Sequence, residues 1–225
     1  MQSQSIKKEV HKMKNDITEV VFILDRSGSM ADLTGDTIGG FNSILKEQKG
    51  KEGTVYVTTV LFNGVNFKLH DRLLVDEVPE MTDKDYVAYG STALVDAIGE
   101  TIKHIEKIHK YARPEDVPEK TLFIITTDGM ENASRKYSAD EVKKMVSAKQ
   151  EQGWEFIFLA ANIDAVETAK HYGIKANDAV NYMRDSKGTA CVYDSMNSAI
   201  MDCRQRVVRK GGWREKTDAD YNMRK

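Results

Sequence analysis

The sequence predicts an α/β fold: a doubly wound, mostly parallel six-stranded sheet with one antiparallel edge strand and helices on both faces. Two observations lead to this fold class. Short apolar runs that suit buried strands alternate along the chain with longer segments whose apolar residues recur at helical spacing. One dipeptide, Asn63-Gly64, interrupts that alternation with a strong signal for a two-residue hairpin, which makes the next strand antiparallel.

The first half of the chain supplies three strands and two helices. An unbroken apolar run at residues 20–24 predicts a strand that is buried on both faces. Residues 36–48 carry an apolar stripe closed by Gly50, which predicts a helix. Residues 54–62 are rich in Val, Thr and Tyr and predict a strand, and residues 65–75 return antiparallel after the hairpin. After a polar stretch, residues 93–110 form a helix with a stripe of leucine and isoleucine.

The second half continues the alternation. Residues 121–127 and 154–160 predict two further parallel strands, and residues 179–183 predict a short last one. Ser138 and Glu141 form a capping-box signature at the start of a helix that runs to about residue 150. The remaining helices are predicted at residues 163–171 and 186–208.

The length and composition favour one globular domain. We predict a polar N-terminal segment at residues 1–16, a domain at 17–208 and a flexible C-terminal tail at 209–225. The net charge of −2 gives no reason to expect nucleic acid or an anionic membrane as a partner. No apolar run approaches the roughly 20 residues that a membrane-spanning helix needs. The oligomeric state cannot be predicted.

The cysteines and the N-terminus indicate a cytoplasmic location. Cys191 and Cys203 fall on one predicted helix, where twelve residues separate them by about 18 Å. A disulfide requires a Cα separation of about 4.4–6.8 Å, so the two thiols are expected to be free. The polar, lysine-rich start of the chain also shows no apolar segment of a secretory signal.

Oxygen-bearing side chains follow the predicted strands at the edge where parallel sheets bind ligands. Asp25, Ser27 and Ser29 follow the first strand, and Asp128 follows the strand at residues 121–127. Thr92 opens the helix at residues 93–110. One carboxylate and two hydroxyls within five residues can surround a small hard cation with oxygen. The five together suit Mg²⁺, with Mn²⁺ or Ca²⁺ as alternatives.

This D-x-S-x-S motif, with the later Thr and Asp, resembles the metal-ion-dependent adhesion site of von Willebrand factor type A (vWA) domains. The resemblance extends over residues 17–208 and implies a Rossmann-like fold. It also implies a vWA protein of the bacterial or phage cytoplasmic type. It implies that the metal ligands are Asp25, Ser27, Ser29, Thr92 and Asp128. The two serines, and sometimes the threonine, would contact the metal directly, while the acids often act through water. The implied function is non-enzymatic: Mg²⁺ would engage an Asp or Glu of a protein partner.

Other interpretations of the same residues stay open at this point. Taken singly, Asp25, Ser27, Ser29 and Thr92 are ordinary helix-capping residues. An enzyme is the competing function, with Asp25 as the nucleophile of a Mg²⁺-dependent phosphotransferase or hydrolase. Against it, no general acid or base is evident in the sequence near the site, so no catalytic residue is assigned.

The surroundings of the site generate two further expectations. The helices that follow Ser29 and Thr92 are expected to point their positive N-terminal ends at the site and to favour an incoming anion. Residues in the surrounding loops are expected to contact a partner, although one of them, Met30, has the alternative of packing beneath a helix. These loop residues are Arg26, Met30, Tyr89, Met130 and Arg135.

Overall fold

Six strands form one sheet in the computed structural model, which describes residues 16–209 and 211–225. In chain order they are β1 (Ile17–Asp25), β2 (Thr54–Phe62), β3 (Asn66–Leu74), β4 (Lys120–Thr127), β5 (Glu155–Ala160) and β6 (Ala179–Asn181). Their order across the sheet is β3-β2-β1-β4-β5-β6. All neighbours are parallel except β2 and β3, which are antiparallel. The antiparallel edge strand predicted from Asn63-Gly64 is therefore confirmed.

Helices cover both faces of the sheet, which confirms the doubly wound arrangement. They are α1 (Thr34–Gln48), α2 (Leu94–Tyr111), α3 (Ala139–Glu151), α4 (Ala165–His171), α5 (Ser186–Arg204) and α6 (Glu215–Arg224). The core on one face joins the sheet to α1 and α5, and the core on the other face joins it to α2, α3 and α4. The α3 capping box predicted at Ser138 and Glu141 is present, with both of its hydrogen bonds.

The central strand β1 supplies both cores, because successive side chains of a strand point to opposite faces. Val20, Phe22 and Leu24 pack on the α1 and α5 side, and Val21 and Ile23 pack on the opposite side. Its neighbour β4 runs parallel to it, so both strands end at the same edge of the sheet. That edge receives the side chains singled out by the motif.

The edge strand β3 does not keep a simple alternation of faces. The spacing predicts that polar residues 66, 68, 70 and 72 share one face, but the pairing of β2 with β3 shifts register around Thr59. The irregularity turns the ring of His70 inward, where it stacks on Phe41 with ring centroids 5.9 Å apart. Its Nδ1 lies 3.1 Å from the Thr59 hydroxyl, and Arg72 adopts a left-handed φ of 51°. A bulge of this kind cannot be read from side-chain periodicity alone.

The C-terminal residues expected to form a flexible tail are packed onto the domain instead. A 3₁₀ turn at Gly212–Arg214 leads into α6, and both lie against α5. Trp213 is only 3% exposed and belongs to the core on the α1 and α5 side. The Thr217 hydroxyl lies 2.7 Å from that of Ser195 in α5. The expectation failed because α6 is too polar for periodicity to reveal it, and single buried residues such as Trp213 and Thr217 attach the segment to the domain.

Four expectations concern regions or properties away from the sheet. The polar segment predicted at residues 1–16 lies outside the described residues, apart from Asp16. Both cysteines are free and lie on α5, as predicted. Among the helices of residues 16–209 and 211–225, none has the length and apolar character required to cross a bilayer. The cytoplasmic location stays a prediction.

Replacing Trp213 tests whether the C-terminal segment contributes to the core. Trp213→Ala should lower the free energy of unfolding by about 3–5 kcal/mol, the usual cost of deleting a large buried aromatic side chain. Urea unfolding followed by circular dichroism measures this change. Met223→Ala, at a side chain of α6 that is 73% exposed, is the control and should change stability by less than about 0.5 kcal/mol. Equal stability of both variants would mean that the segment is dispensable.

Candidate metal site

The five predicted metal ligands meet at the carboxyl edge of the sheet. Asp25 is the last residue of β1, and Asp128 directly follows β4. Ser27 and Ser29 lie in the loop after β1, and Thr92 lies two residues before α2. Four of the five are at most 4% exposed, whereas Ser29 opens to solvent. The arrangement therefore places oxygen atoms at the floor of the site and leaves one side accessible.

Direct contacts link the serines to the second acid. The Ser27 and Ser29 hydroxyl oxygens are 3.1 Å apart, and the Ser29 hydroxyl donates to Asp128 Oδ1 at 2.6 Å. Gly129 lies between Ser29 and Thr92: a Cβ added there would be 3.8 Å from Ser29 Oγ and 3.9 Å from Thr92 Oγ1. A side chain longer than glycine at this position would extend into the space between the two hydroxyls. The Thr92 and Ser29 hydroxyls thus border one space next to Gly129, which we call the cleft.

Asp25 is anchored by two short hydrogen bonds. Its Oδ1 accepts from the Ser27 backbone N–H at 2.7 Å, and its Oδ2 accepts from the Thr127 hydroxyl at 2.6 Å. Burial raises the pKa of the Asp25 carboxyl above its ordinary value, the two donors oppose that rise, and the nearby Asp128 charge adds to it. A cation in the cleft would favour the ionised form of Asp25 and so offset the cost of burying it.

The serine and threonine hydroxyls do not serve as helix caps. Ser27 precedes the 3₁₀ turn at Gly28–Leu33, but its side chain makes no capping hydrogen bond. The residue at the cap position of α2 is Ala93 rather than Thr92, and it provides no side-chain cap either. The capping interpretation of these residues is therefore wrong. Their oxygens remain available to one another and to a bound ion.

Backbone hydrogen bonds fix the loops that carry these side chains. The Gly28 N–H donates to the Gly90 carbonyl at 3.0 Å, and the Tyr89 N–H donates to the Arg26 carbonyl at 3.0 Å. Gly90 has a φ of 78°, a left-handed conformation that a residue with a side chain rarely adopts. Beneath them, the hydroxyl of the buried Tyr86 donates to the Asp25 carbonyl. The loop before Thr92 is therefore attached to the loop after β1.

The N-terminus of α2 is not free to attract an anion, contrary to the sequence expectation. The Val95 N–H donates to Glu131 Oε2 at 2.8 Å, and the Asp96 N–H donates to the Ser134 hydroxyl at 2.9 Å. These bonds satisfy the first-turn donors with side chains of the loop after β4, and one of them is anionic. The macrodipole of α2 is therefore offset by the protein itself.

Sequence reasoning missed two residues whose side chains donate to the carboxylates of the predicted ligands. Thr127 anchors Asp25, and its position at the end of a predicted strand beside Asp128 was a usable signal. Arg184 follows β6 and donates from Nε to Asp128 Oδ2 at 2.7 Å. It also donates from Nη1 to Asp32 Oδ2 at 3.0 Å. No local sequence pattern indicates that Arg184 contacts Asp128, because the two residues lie 56 positions apart in the chain.

The predicted contact residues divide into buried and exposed groups. Met30 is 4% exposed and packs inward, the alternative considered for it. The Arg26 side chain is also largely covered, because its guanidinium lies 5.4 Å from the Phe67 ring centre and 5.7 Å from that of Tyr89. Tyr89, by contrast, is 54% exposed. Met130 and Arg135 are exposed too.

The donor set fits a hard divalent cation. The described residues contain no group of three or more His, Cys, Asp and Glu side chains suited to a metal, so a zinc site of the usual imidazole and thiolate kind is not formed by them. Here two carboxylates and three hydroxyls converge instead. Oxygen ligands of this kind suit Mg²⁺, Mn²⁺ or Ca²⁺. The residues present therefore fit the group that the motif implies.

Solved structures with the same architecture decide the fold family. The vWF domain of the type V pili tip protein Mfa5 from Porphyromonas gingivalis superposes with a TM-score of 0.60 at 10% identity, covering 85% of this chain and 96% of that one. The fold is of the vWA type. A manganese-loaded TRAP protein from Plasmodium vivax matches with a TM-score of 0.54 at 15% identity, covering 79% and 72% of the two chains.

A third neighbour of the same fold also contains a bound metal. Proximal thread matrix protein 1 from the mussel byssus, with a zinc-occupied MIDAS motif, matches this vWA-type chain with a TM-score of 0.55 at 13% identity. The match covers 82% of this chain but only 46% of the mussel protein. No family model matches the sequence, and no curated protein matches it either. At these identities the structural matches show the fold alone.

Removing the Thr127 hydroxyl tests how Asp25 is anchored. Thr127→Val should lower the free energy of unfolding in EDTA by about 1.5–3 kcal/mol, since it deletes a buried hydrogen bond to a carboxylate. Denaturant unfolding provides the measurement. Thr126→Val, one residue earlier and on the opposite face of β4, is the matched control. If both variants lose the same amount, the Thr127–Asp25 hydrogen bond has no special part in stability.

Proposed function

We propose that this protein is a metal-dependent binding module that engages an acidic residue of a protein partner through Mg²⁺. Asp25, Ser27, Ser29, Thr92 and Asp128 would hold the ion. A divalent cation there supplies a Lewis-acid centre for a carboxylate oxygen of the partner. One observation carries the proposal. Three hydroxyls, none of which caps a helix, and two buried acids converge on one cleft that opens at Ser29.

The surface around the cleft supports a protein rather than a small molecule as the partner. Tyr89 and Met130 are 54% and 74% exposed, and both lie in loops attached to the site. Phe67, beside the Arg26 guanidinium, is 47% exposed. Large apolar side chains exposed around a polar centre are a usual feature of protein-binding surfaces. The metal-loaded neighbours of the same fold support a divalent cation, and Mg²⁺ is our choice among the hard cations.

The competing enzymatic interpretation is less well supported by the geometry. A nucleophilic Asp25 would need a free carboxylate oxygen directed at the substrate. Instead the side chain is 0% exposed, and each of its oxygens accepts a hydrogen bond, from Ser27 and from Thr127. The histidine side chains of the described residues lie elsewhere: His70 is in β3, His104 and His109 lie on α2 toward its far end, and His171 is the last residue of α4. We therefore propose that Asp25 helps to hold the ion and anchors the floor of the site, and does not act as a nucleophile.

Substitution of Thr92 tests the metal site with the least effect on the fold. Thr92→Val replaces the hydroxyl by a methyl group of similar size and should weaken Mg²⁺ binding by about tenfold, or about 1.4 kcal/mol. Isothermal titration calorimetry measures the dissociation constant. Thr92→Ser restores the hydroxyl and should bind Mg²⁺ nearly as tightly as the wild type. Asp25→Ala should abolish most Mg²⁺ binding but is a poorer test, because it also removes the acceptor of the Ser27 N–H and of the Thr127 hydroxyl.

Capture experiments test the partner's chemistry. The wild-type protein should retain its partner in Mg²⁺ and release it in EDTA, and Thr92→Val should retain much less of it. The captured protein, identified by mass spectrometry, should lose binding when one exposed Asp or Glu is changed to Asn or Gln. Binding that persists in EDTA would contradict the proposal. Hydrolysis of a phosphate ester that disappears in Asp25→Asn would favour the enzyme instead.

A further inference from the structure

The guanidinium of Arg184 places a positive charge beside the candidate metal site. Its Nε donates to Asp128 Oδ2 at 2.7 Å, and its two terminal nitrogens donate to the carboxylate of Asp32. It also donates to the Ser29 backbone carbonyl. The hydrogen bond from Arg184 lowers the pKa of the Asp32 carboxyl below its ordinary value. One guanidinium thus joins three positions around the cleft.

The arginine is held in place by the segment that carries it. The next residue, Asp185, is the N-cap of α5 and accepts from the Gly188 N–H at 2.8 Å. Asp185 also pairs with Arg224 of α6. Gly188 approaches the Met183 carbonyl so closely that a Cβ there would lie 1.9 Å from the oxygen. Because the backbone on both sides is fixed, Arg184 reaches Asp128 from a defined position.

The two oxygens of Asp128 have different partners. Oδ1 accepts from the Ser29 hydroxyl, inside the cleft, whereas Oδ2 accepts from Arg184 on the outer side. The Asp128 side chain is 0% exposed, so this ion pair is screened little by solvent. Rotation of the carboxylate toward an ion in the cleft would break the bond to Arg184. The guanidinium therefore restricts the orientation of Asp128 and also places a positive charge near the ion.

We propose that Arg184 is a positioning residue that lowers the affinity of the site for its divalent cation and keeps that cation reactive toward an external carboxylate. The proposal rests on the metal site of the proposed function. Arg184 holds Asp128 by its outer oxygen and neutralises part of its charge, so Asp128 donates less negative charge to the ion. The ion then remains under-neutralised by the protein, and the acid of the partner completes its charge balance.

Calorimetric titration of Mg²⁺ into the full chain tests this role. Arg184→Ala and Arg184→Gln should bind Mg²⁺ about tenfold more tightly than the wild type, because the competing charge is gone. Arg184→Lys retains the charge and should stay within about threefold of the wild type. Arg113→Ala provides the control for net charge: Arg113 is 74% exposed and lies beyond the far end of α2, whose 18 residues span about 27 Å. It should leave the affinity unchanged.

The outcomes separate this proposal from the metal site itself. Unchanged or weaker Mg²⁺ binding by folded Arg184→Ala and Arg184→Gln would overturn the role of Arg184 while leaving the site intact. Absence of Mg²⁺ binding by the wild type would overturn the proposed function first. Arg184→Gln removes the charge but retains part of the side chain and a hydrogen-bond donor, so it decides the matter if the alanine variant fails to fold. Thermal unfolding in EDTA and in Mg²⁺ gives a second readout, in which the metal-induced rise in midpoint should be larger for Arg184→Gln than for the wild type.

Discussion

The buried carboxylate of Asp25 is the group on which the geometry of the site depends. Its hydrogen bonds connect the end of β1 to Thr127 at the end of β4 and to the turn that carries Ser27. The backbone carbonyl of the same residue accepts from Tyr86, which draws in the loop that leads to Thr92. Placing an ionisable group where no solvent reaches it costs several kcal/mol unless partners compensate. The three segments of the site are thus held together by a group that is itself costly to bury.

The two acids of the site are compensated in different ways. Asp25 has neutral donors, and its pKa is raised by burial, so its charge is the one most in need of an ion. Asp128 faces the guanidinium of Arg184, a permanent cation supplied by the chain. The protein therefore prepares one strongly attractive carboxylate and one moderated carboxylate. This asymmetry distinguishes the site from a chelating cage, in which every acid would face the ion directly.

Most of the fold and all five candidate ligands followed from local sequence patterns, because buried strands and a motif at fixed spacing leave strong local signals. The alternation of strands with helices and the antiparallel strand after Asn63-Gly64 belong to this class. Arg184 and Trp213 do not: their partners are distant in the chain, and a single residue has no periodicity. The expectation that the N-terminus of α2 attracts an external anion was wrong for a related reason, since Glu131 from another loop accepts one of its N–H groups. Long-range pairing of single side chains cannot be predicted from local sequence patterns.

The irregular edge strand β3 also limits how another polypeptide can attach to the molecule. A regular strand at a sheet edge has unpaired backbone groups, through which another polypeptide chain can extend the sheet. Here the register shifts near Thr59, and Arg72 has a left-handed backbone with its guanidinium 4.3 Å from the Tyr56 ring centre. At the opposite edge, β6 is only three residues long. Neither edge offers a long regular template for strand addition. The binding that we propose therefore uses the loop end of the sheet, where side chains rather than backbone amides would determine specificity.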